Sequence, residues 1–312
     1  MKNSLLITGA STGLGLATSL YLAEQGFKVY ATTPNLADRD AIELPAKKRN
    51  LKIRVLQLDI TDQKSINKAV ETIISECGGL YGLVNNAGTR LRGCFEDLSE
   101  SEIRRLFDTN VFGTMAVTRT VLPYMRAARR GRIVMITSVA GKIGSFGVSA
   151  YCATKFAQEG FGESLVQELT PLGIQVVLIE PGIIKTEAWD LNRVVAEGAQ
   201  NVSSPYYAWF NRLESLSDRL VETSSTTSLD VAKVVCKALT VKHPRLRYMV
   251  GRRARLVVAL RRYIPGELFD RVYSRRVIRL VTGRDDSETK RKGYNHAGGP
   301  RVSICRGHAQ ND

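Results

Sequence analysis

The sequence predicts an α/β fold built on a doubly wound parallel sheet, as a single domain with a C-terminal helical extension. Six short apolar runs alternate with longer amphipathic stretches through the first 180 residues. The runs are rich in Val, Ile and Leu and mostly lack polar alternation, the pattern of strands buried on both faces of a parallel sheet. A chain of 312 residues is long for an average domain but within the range of one large α/β domain with a substantial core.

The runs are SLLIT, KVYAT, IRVLQL, LYGLVN, RIVMIT and IQVVLIE. Helices are expected from Gly13 to Gln25, Asp62 to Cys77, Ser101 to Arg129 and Ser149 to Leu169, giving a repeated βα pattern. After Ile179 the pattern changes, and the next clear helix is Leu229 to Leu239. The intervening stretch carries Trp189, Trp209, Tyr206 and Tyr207, so residues of about 183–228 are expected to form a lid or substrate loop. A pair of surface helices packing these aromatics on the sheet is the competing reading. Residues 1–250 form the expected catalytic domain. The segment 251–283 reads as two amphipathic helices with basic faces, broken at Pro265-Gly266, and 284–312 as a disordered polar tail.

Five cysteines (Cys77, Cys94, Cys152, Cys236, Cys305) are scattered without a C-x-x-C pair and accompany only three histidines. That argues against a disulfide framework or a metal site and for a reducing compartment. The apolar run near the N-terminus is too short for a signal peptide, and no long apolar stretch suggests a membrane span. A cytoplasmic location follows, with membrane association as an addition to it. The net charge of +15 is uneven: residues from 242 onward hold 18 Lys/Arg against 6 Asp/Glu, and residues 1–240 hold 27 against 24. The basic character therefore belongs to the C-terminal segment. It admits helices that cap a pocket or join subunits, a peripheral membrane contact through residues 252–281, or a nucleic-acid contact, the last disfavoured because no binding motif accompanies the charge.

Between the first run and the first helix lies Thr8-Gly-Ala-Ser-Thr-Gly-Leu-Gly15. Glycines at such a turn allow positive φ and close approach of a pyrophosphate, whose charge the helix N-terminus favours. The spacing, with Gly9, Gly13 and Gly15, is G-x-x-x-G-x-G rather than G-x-G-x-x-G. Further motifs follow in order: Asp59-Ile60 after the third run, Asn85-Asn-Ala-Gly88 after the fourth, Asn110 in DTNVFG, Ser138 after the fifth, then Tyr151 and Lys155, and finally Pro181-Gly182 with Thr186.

In this set and order, residues 3–250 resemble the short-chain dehydrogenase/reductases, in the style of the steroid and retinol dehydrogenase branch. The resemblance implies a Rossmann-like fold and a nicotinamide cofactor. It implies cofactor contacts from Gly9, Ser11, Thr12, Gly13, Leu14 and Gly15 in the loop, and from Thr33 at the end of the second strand. Asp59 and Ile60 are expected at the adenine, Asn86, Ala87 and Gly88 at its ribose, and Pro181, Gly182, Ile184 and Thr186 at the nicotinamide. Asn110, Tyr151 and Lys155 complete the cofactor set, and Asn110, Ser138, Tyr151 and Lys155 form the catalytic tetrad, with Asn110 holding a water that links Lys155 to solvent. Asp59 is expected to be left for the cofactor because Thr61 or Asp62 can cap the following helix.

No carboxylate stands at Thr33 to repel a 2′-phosphate, so NADP is favoured over NAD, although Pro34 stands where many NADP-using relatives have arginine. Tyr151 and Lys155 are one turn apart on one helix face, so the ammonium and a positive nicotinamide are expected to lower the tyrosine pKa. Ser138 supplies a second donor to the same carbonyl oxygen. Cys152 has no base nearby and reads as packing. The expected activity is hydride transfer between nicotinamide and the alcohol or carbonyl carbon of a lipophilic small molecule, with the pocket shaped by Arg90 to Gly93, Val139 to Ser145 and Trp189 to Phe210. Arg90 and Arg92 offer an acidic substrate group a partner instead. A homo-oligomer is expected through the helices at 102–129 and 149–170. The competing class is a cofactor-sensing protein that uses the same fold and a basic membrane- or partner-binding tail.

Overall fold

The structure, a computed structural model, describes residues 3–185 and 193–283. The strands are β1 (Ser4–Ile7), β2 (Lys28–Thr33), β3 (Ile53–Gln57), β4 (Gly82–Asn85), β5 (Arg90–Arg92), β6 (Gly131–Ile136), β7 (Ile174–Pro181), β8 (Arg193–Val195) and β9 (Arg247–Val250). Seven of them form one sheet in the order β3-β2-β1-β4-β6-β7-β9, with every pair parallel, while β5 and β8 make a small parallel sheet of their own. All six apolar runs are strands of the large sheet. Its seventh strand, β9, is not legible as an apolar run because RYMV is short and begins with an arginine.

Side chains alternate across the sheet, as the two-residue period of a strand requires. Leu6, Ile133, Met135, Val176 and Leu178 pack on one face with Ile66 and Val70 of α3 (Gln63–Cys77), Val117 and Val121 of α5 (Thr114–Ala127) and Leu165 of α6 (Ser149–Leu169). Leu5, Ile7, Val134, Val177 and Ile179 point the other way, onto Leu22 of α1 (Gly13–Glu24), Ile42 of α2 (Asp40–Lys48) and Val231 and Val235 of α8 (Ser228–Thr240). Both faces are covered, which explains why the runs lack polar residues.

Helix boundaries follow local chemistry. Asp62 accepts from the Lys64 amide to start α3, and Gly78, at φ +67°, ends it. The expected helix from Ser101 to Arg129 is instead α4 (Glu100–Phe107), a π-helical turn (Asp108–Gly113) and α5. A capping box of Ser99 and Glu102 opens α4. The aromatic stretch contains α7 (Tyr207–Glu222), whose Trp209 meets Phe146 edge-on at 6.4 Å. This helix thus lies on the segment after Ser138, whereas Trp189 falls outside the described residues. The basic segment contains α9 (Arg252–Tyr263) and α10 (Gly266–Thr282). Among the described residues, no helix is long and apolar enough to cross a membrane. The polar segment 284–312 lies outside the described residues.

Candidate active site

Strand order reverses at β1, with β2 on one side and β4 on the other, so a crevice opens beyond their carboxyl ends. The turn after β1 is held there by side chains from the turn after β4. Thr8 Oγ1 accepts from the amides of Asn86 and Ala87, both at 3.0 Å, and Asn86 Nδ2 donates to the carbonyls of Thr8 (2.9 Å) and Gly9 (2.8 Å). The Asn86 amide nitrogen therefore braces the loop. A Cβ on Gly15 would come within 2.1 Å of the Gly9 carbonyl oxygen, so only glycine fits that approach. Gly9 and Gly13 take positive φ, +63° and +53°.

The first intrahelical bond of α1 in its opening turn runs from the Leu16 amide to the Thr12 carbonyl, at 3.2 Å. The amides of Gly13, Leu14 and Gly15 precede it, and Ser11 and Thr12 lead into the turn. Backbone donors at a helix N-terminus, with no side chain on the glycines, fit the pyrophosphate of a dinucleotide.

Around this loop, several expected contacts change character. Thr33 is buried, and its hydroxyl lies 3.2 Å from the Asn35 carbonyl and 3.4 Å from Asp38 Oδ2. A short 3₁₀ turn at Leu36–Arg39 carries this carboxylate back to the end of β2, so an acid stands beside Thr33 although none occupies position 33. Arg39 pairs with Glu43 at 2.6 Å, on the surface. Asp59 is less available than expected, since its Oδ1 accepts from both the amide (2.8 Å) and hydroxyl (2.7 Å) of Thr61. Ile60 is buried against Gly113 of the π turn, where a Cβ would meet it at 2.8 Å. Gly88 lies against the Asn110 carboxamide, with 3.2 Å between its potential Cβ and Oδ1. Pro181 ends β7, and the Gly182 amide donates to the Val250 carbonyl at 2.9 Å. Ile184 packs into the core beside Val250, while Thr186 lies outside the described residues.

The tetrad residues converge from three elements. Ser138 ends the stretch after β6 and caps a short 3₁₀ turn, its Oγ accepting from the Ala140 amide at 3.1 Å. Tyr151 and Lys155 lie on α6, with Lys155 Nζ 5.7 Å from the Tyr151 ring centroid. Lys155 is buried and donates to the Ile136 carbonyl (3.1 Å) and Gln158 Oε1 (2.9 Å). Asn110, fully buried in the π turn, accepts from the Thr89 amide (2.8 Å) and donates to the Thr89 carbonyl (2.9 Å) and Thr154 Oγ1 (3.1 Å). Its side chain ties the turn after β4 to α6 at Thr154. The π turn supplies that inward placement, a recurrent use of such turns at functional sites.

In the protein alone, desolvation governs the titration of both Tyr151 and Lys155. Burial pushes the Tyr151 phenol up, outweighing the Arg90 guanidinium and the Ser138 hydroxyl, both of which pull it down. Burial likewise holds Lys155 down, to about 8, against the opposing influence of Glu159. Besides Lys155, a second cation stands over the phenol ring: Arg90, with Cζ 5.6 Å from the centroid. Sequence spacing offered no sign of this, because β5 reaches Tyr151 only through the fold. Arg92 has a different role: it is 1% exposed, pairs with Glu214 of α7 and donates to Ser217 Oγ at 2.9 Å, which removes it as a substrate anchor. The Cys152 thiol is pushed up by burial, consistent with packing.

One further group escaped sequence reading. Glu159 meets Lys142 (2.5 Å) and Arg247 (3.0 Å), which also approach Glu180 at 3.4 and 3.1 Å. These charges lie on four separate elements and are brought together only by the sheet. They brace α6 immediately beyond Lys155.

The short chain dehydrogenase family model matches residues 3–194. A 3-ketodihydrosphingosine reductase of Bacteroides thetaiotaomicron is 36% identical over 247 residues, covering 79% of this chain and 87% of its own. Retinol dehydrogenase 8 of Bos taurus is 34% identical over 276 residues, covering 86% of this chain and 88% of its own. Among solved structures, a short-chain dehydrogenase from Streptomyces avermitilis superposes with a TM-score of 0.73 at 28% identity, covering 94% of this chain and 99% of that one.

Proposed function

The chain belongs to the short-chain dehydrogenase family, and from that premise we propose that it interconverts an alcohol and a carbonyl compound on a lipophilic small molecule. The carrying observation is that Asn110, Ser138, Tyr151 and Lys155, from three elements, meet at the carboxyl edge of a sheet whose Gly9–Gly15 loop fits a dinucleotide. A nicotinamide dinucleotide, when bound, supplies or takes the hydride. Tyr151 gives a proton to the carbonyl oxygen during reduction, or takes one from the alcohol during oxidation. Ser138 donates to the same oxygen and stabilises the charge that develops there. Lys155, held as a buried cation, favours the phenolate that remains after Tyr151 gives up its proton. Arg90 reinforces this from the opposite chain segment.

The lipophilic substrate is inferred from the aromatic cover of α7 over Phe146 and from relatives named for a sphingoid ketone and for retinol. For the cofactor, the absence of an acid at position 33 supports NADP, whereas Asp38 beside Thr33 works against a 2′-phosphate. The same reading places a peripheral membrane contact on α9 and α10, where arginines are interleaved with exposed Leu256, Leu260, Val272 and Ile278. It also places a subunit interface on α5 and α6, next to exposed Phe112 and Phe156. No residue specifically favours the cofactor-sensing alternative.

The decisive measurement is nicotinamide absorbance with NADPH and NADH across decanal, retinal, a steroid ketone and a long-chain 3-keto base. Tyr151→Phe should leave dinucleotide binding intact and lower turnover on the order of a hundredfold or more. Unchanged turnover in this variant would exclude the proposed mechanism. With burial holding Lys155 down, to about 8, turnover in the wild type should fall as pH rises through that value and the cation is lost.

A further inference from the structure

Gln158 lies three residues after Lys155 on α6, so both side chains leave the same helix face. It is 3% exposed, where an amide without partners would be costly. Both N–H groups and the oxygen of its carboxamide are engaged. Oε1 accepts from Lys155 Nζ at 2.9 Å, and Nε2 donates to the Asn110 carbonyl oxygen at 2.6 Å and to Thr114 Oγ1 at 3.2 Å. The orientation is dictated by the partners, since an ammonium can only donate and the Asn110 carbonyl can only accept. Thr114 Oγ1 in turn donates to that same carbonyl at 2.8 Å, so its lone pairs face Nε2.

We propose that Gln158 is a positioning residue for the proton-transfer group: its carboxamide spans the gap between the π-turn carbonyl of Asn110 and the Lys155 ammonium and fixes the cation beside Tyr151. This rests on the function proposed above. The same carboxamide meets both the Asn110 carbonyl and the Lys155 ammonium, so it couples the two directly. Water can accept a proton at one side and release another, whereas a carboxamide held by three fixed partners transmits position alone.

Several other charged or titratable groups face this ensemble. Tyr151 and Glu159 share α6 with Lys155, Arg90 reaches Tyr151 from β5, and Lys142, Glu180 and Arg247 surround Glu159. All of these are unchanged by substitution at position 158, so a shift confined to Lys155 isolates the amide.

Gln158→Met keeps the length and removes the polar atoms, while Gln158→Glu keeps the acceptor, adds charge and removes the donor. The test is competitive acetylation of Lys155 with acetic anhydride across pH in the full-length protein without cofactor, read by peptide mass spectrometry. Alongside it, the alkaline limb of turnover is measured with the fastest carbonyl from the panel above. The titration midpoint of Lys155 should move down by about one pH unit in Gln158→Met and up in Gln158→Glu, with the alkaline limb following. Equal midpoints in folded variants, or shifts of the same sign, overturn the proposal. If Gln158→Met fails to fold, an unshifted midpoint in Gln158→Glu is sufficient to overturn it. Retained turnover in Tyr151→Phe would instead remove the functional reading while leaving the acetylation result standing, so the two failures are distinguishable.

Discussion

Along β1, Leu5, Leu6 and Ile7 expose none of their surface, whereas on the C-terminal helix pair Leu256 is 62% and Val272 59% exposed. The residue types are much the same, but their surroundings differ. A strand in the middle of a doubly wound sheet has helices over both faces, so each apolar side chain finds a partner. The pair α9–α10 buries Ala254, Phe269 and Val281 and leaves much of its remaining apolar surface outward among arginines. An apolar residue in the first region is evidence of core. In the second it lies on the surface to which the membrane contact is proposed.

The contrast can be broken by paired truncations. Leu6→Ala should cost about 2–5 kcal/mol in denaturant unfolding, the range for a buried leucine that leaves a cavity. Gly15→Ala comes next, at about 1–3 kcal/mol, because its Cβ would overlap the Gly9 carbonyl; dinucleotide binding measured by calorimetry should be lost with it. Asp38→Asn should leave stability alone and shift the NADP-to-NAD preference toward NADP by roughly fivefold, about 1 kcal/mol for removing one near-surface charge from a phosphate. Leu256→Ala should change stability by less than about 0.5 kcal/mol. Its effect should show in sedimentation with phosphatidylglycerol vesicles, where weaker binding than wild type is expected. Equal unfolding costs for Leu6→Ala and Leu256→Ala would erase the distinction, and unaltered vesicle binding would remove the proposed role of the helix pair.

How much was readable in advance varied with the range of the interactions. The six runs declared themselves because burial on both faces removes polar residues, while β9 and α2 were missed. Only Ile42 and Ala46 of α2 are buried, and the helix contains Pro45, so its periodicity is faint. The two strands of the small sheet, β5 and β8, are three residues each and too short to carry a period. In the candidate site, Tyr151 and Lys155 were legible as an i, i+4 pair, and the glycine spacing announced the loop. Gln158 carried a weaker version of the same signal, three residues from Lys155, but its meaning depended on where the Asn110 carbonyl would lie.

The sequence by itself determined the order of βα units, the Gly9–Gly15 turn, the Tyr151–Lys155 helix face and the concentration of arginine after residue 242. These are consequences of local sterics, of helix and strand periods, and of composition. Only the tertiary structure decided that Arg90 joins Lys155 over Tyr151, that Asp38 returns to Thr33, that Arg92 is spent on Glu214, and that an amide stands between Asn110 and Lys155. It also decided the direction of the Tyr151 shift, because desolvation depends on everything packed around the phenol. Such terms join residues far apart in the chain, and no spacing within one segment contains them.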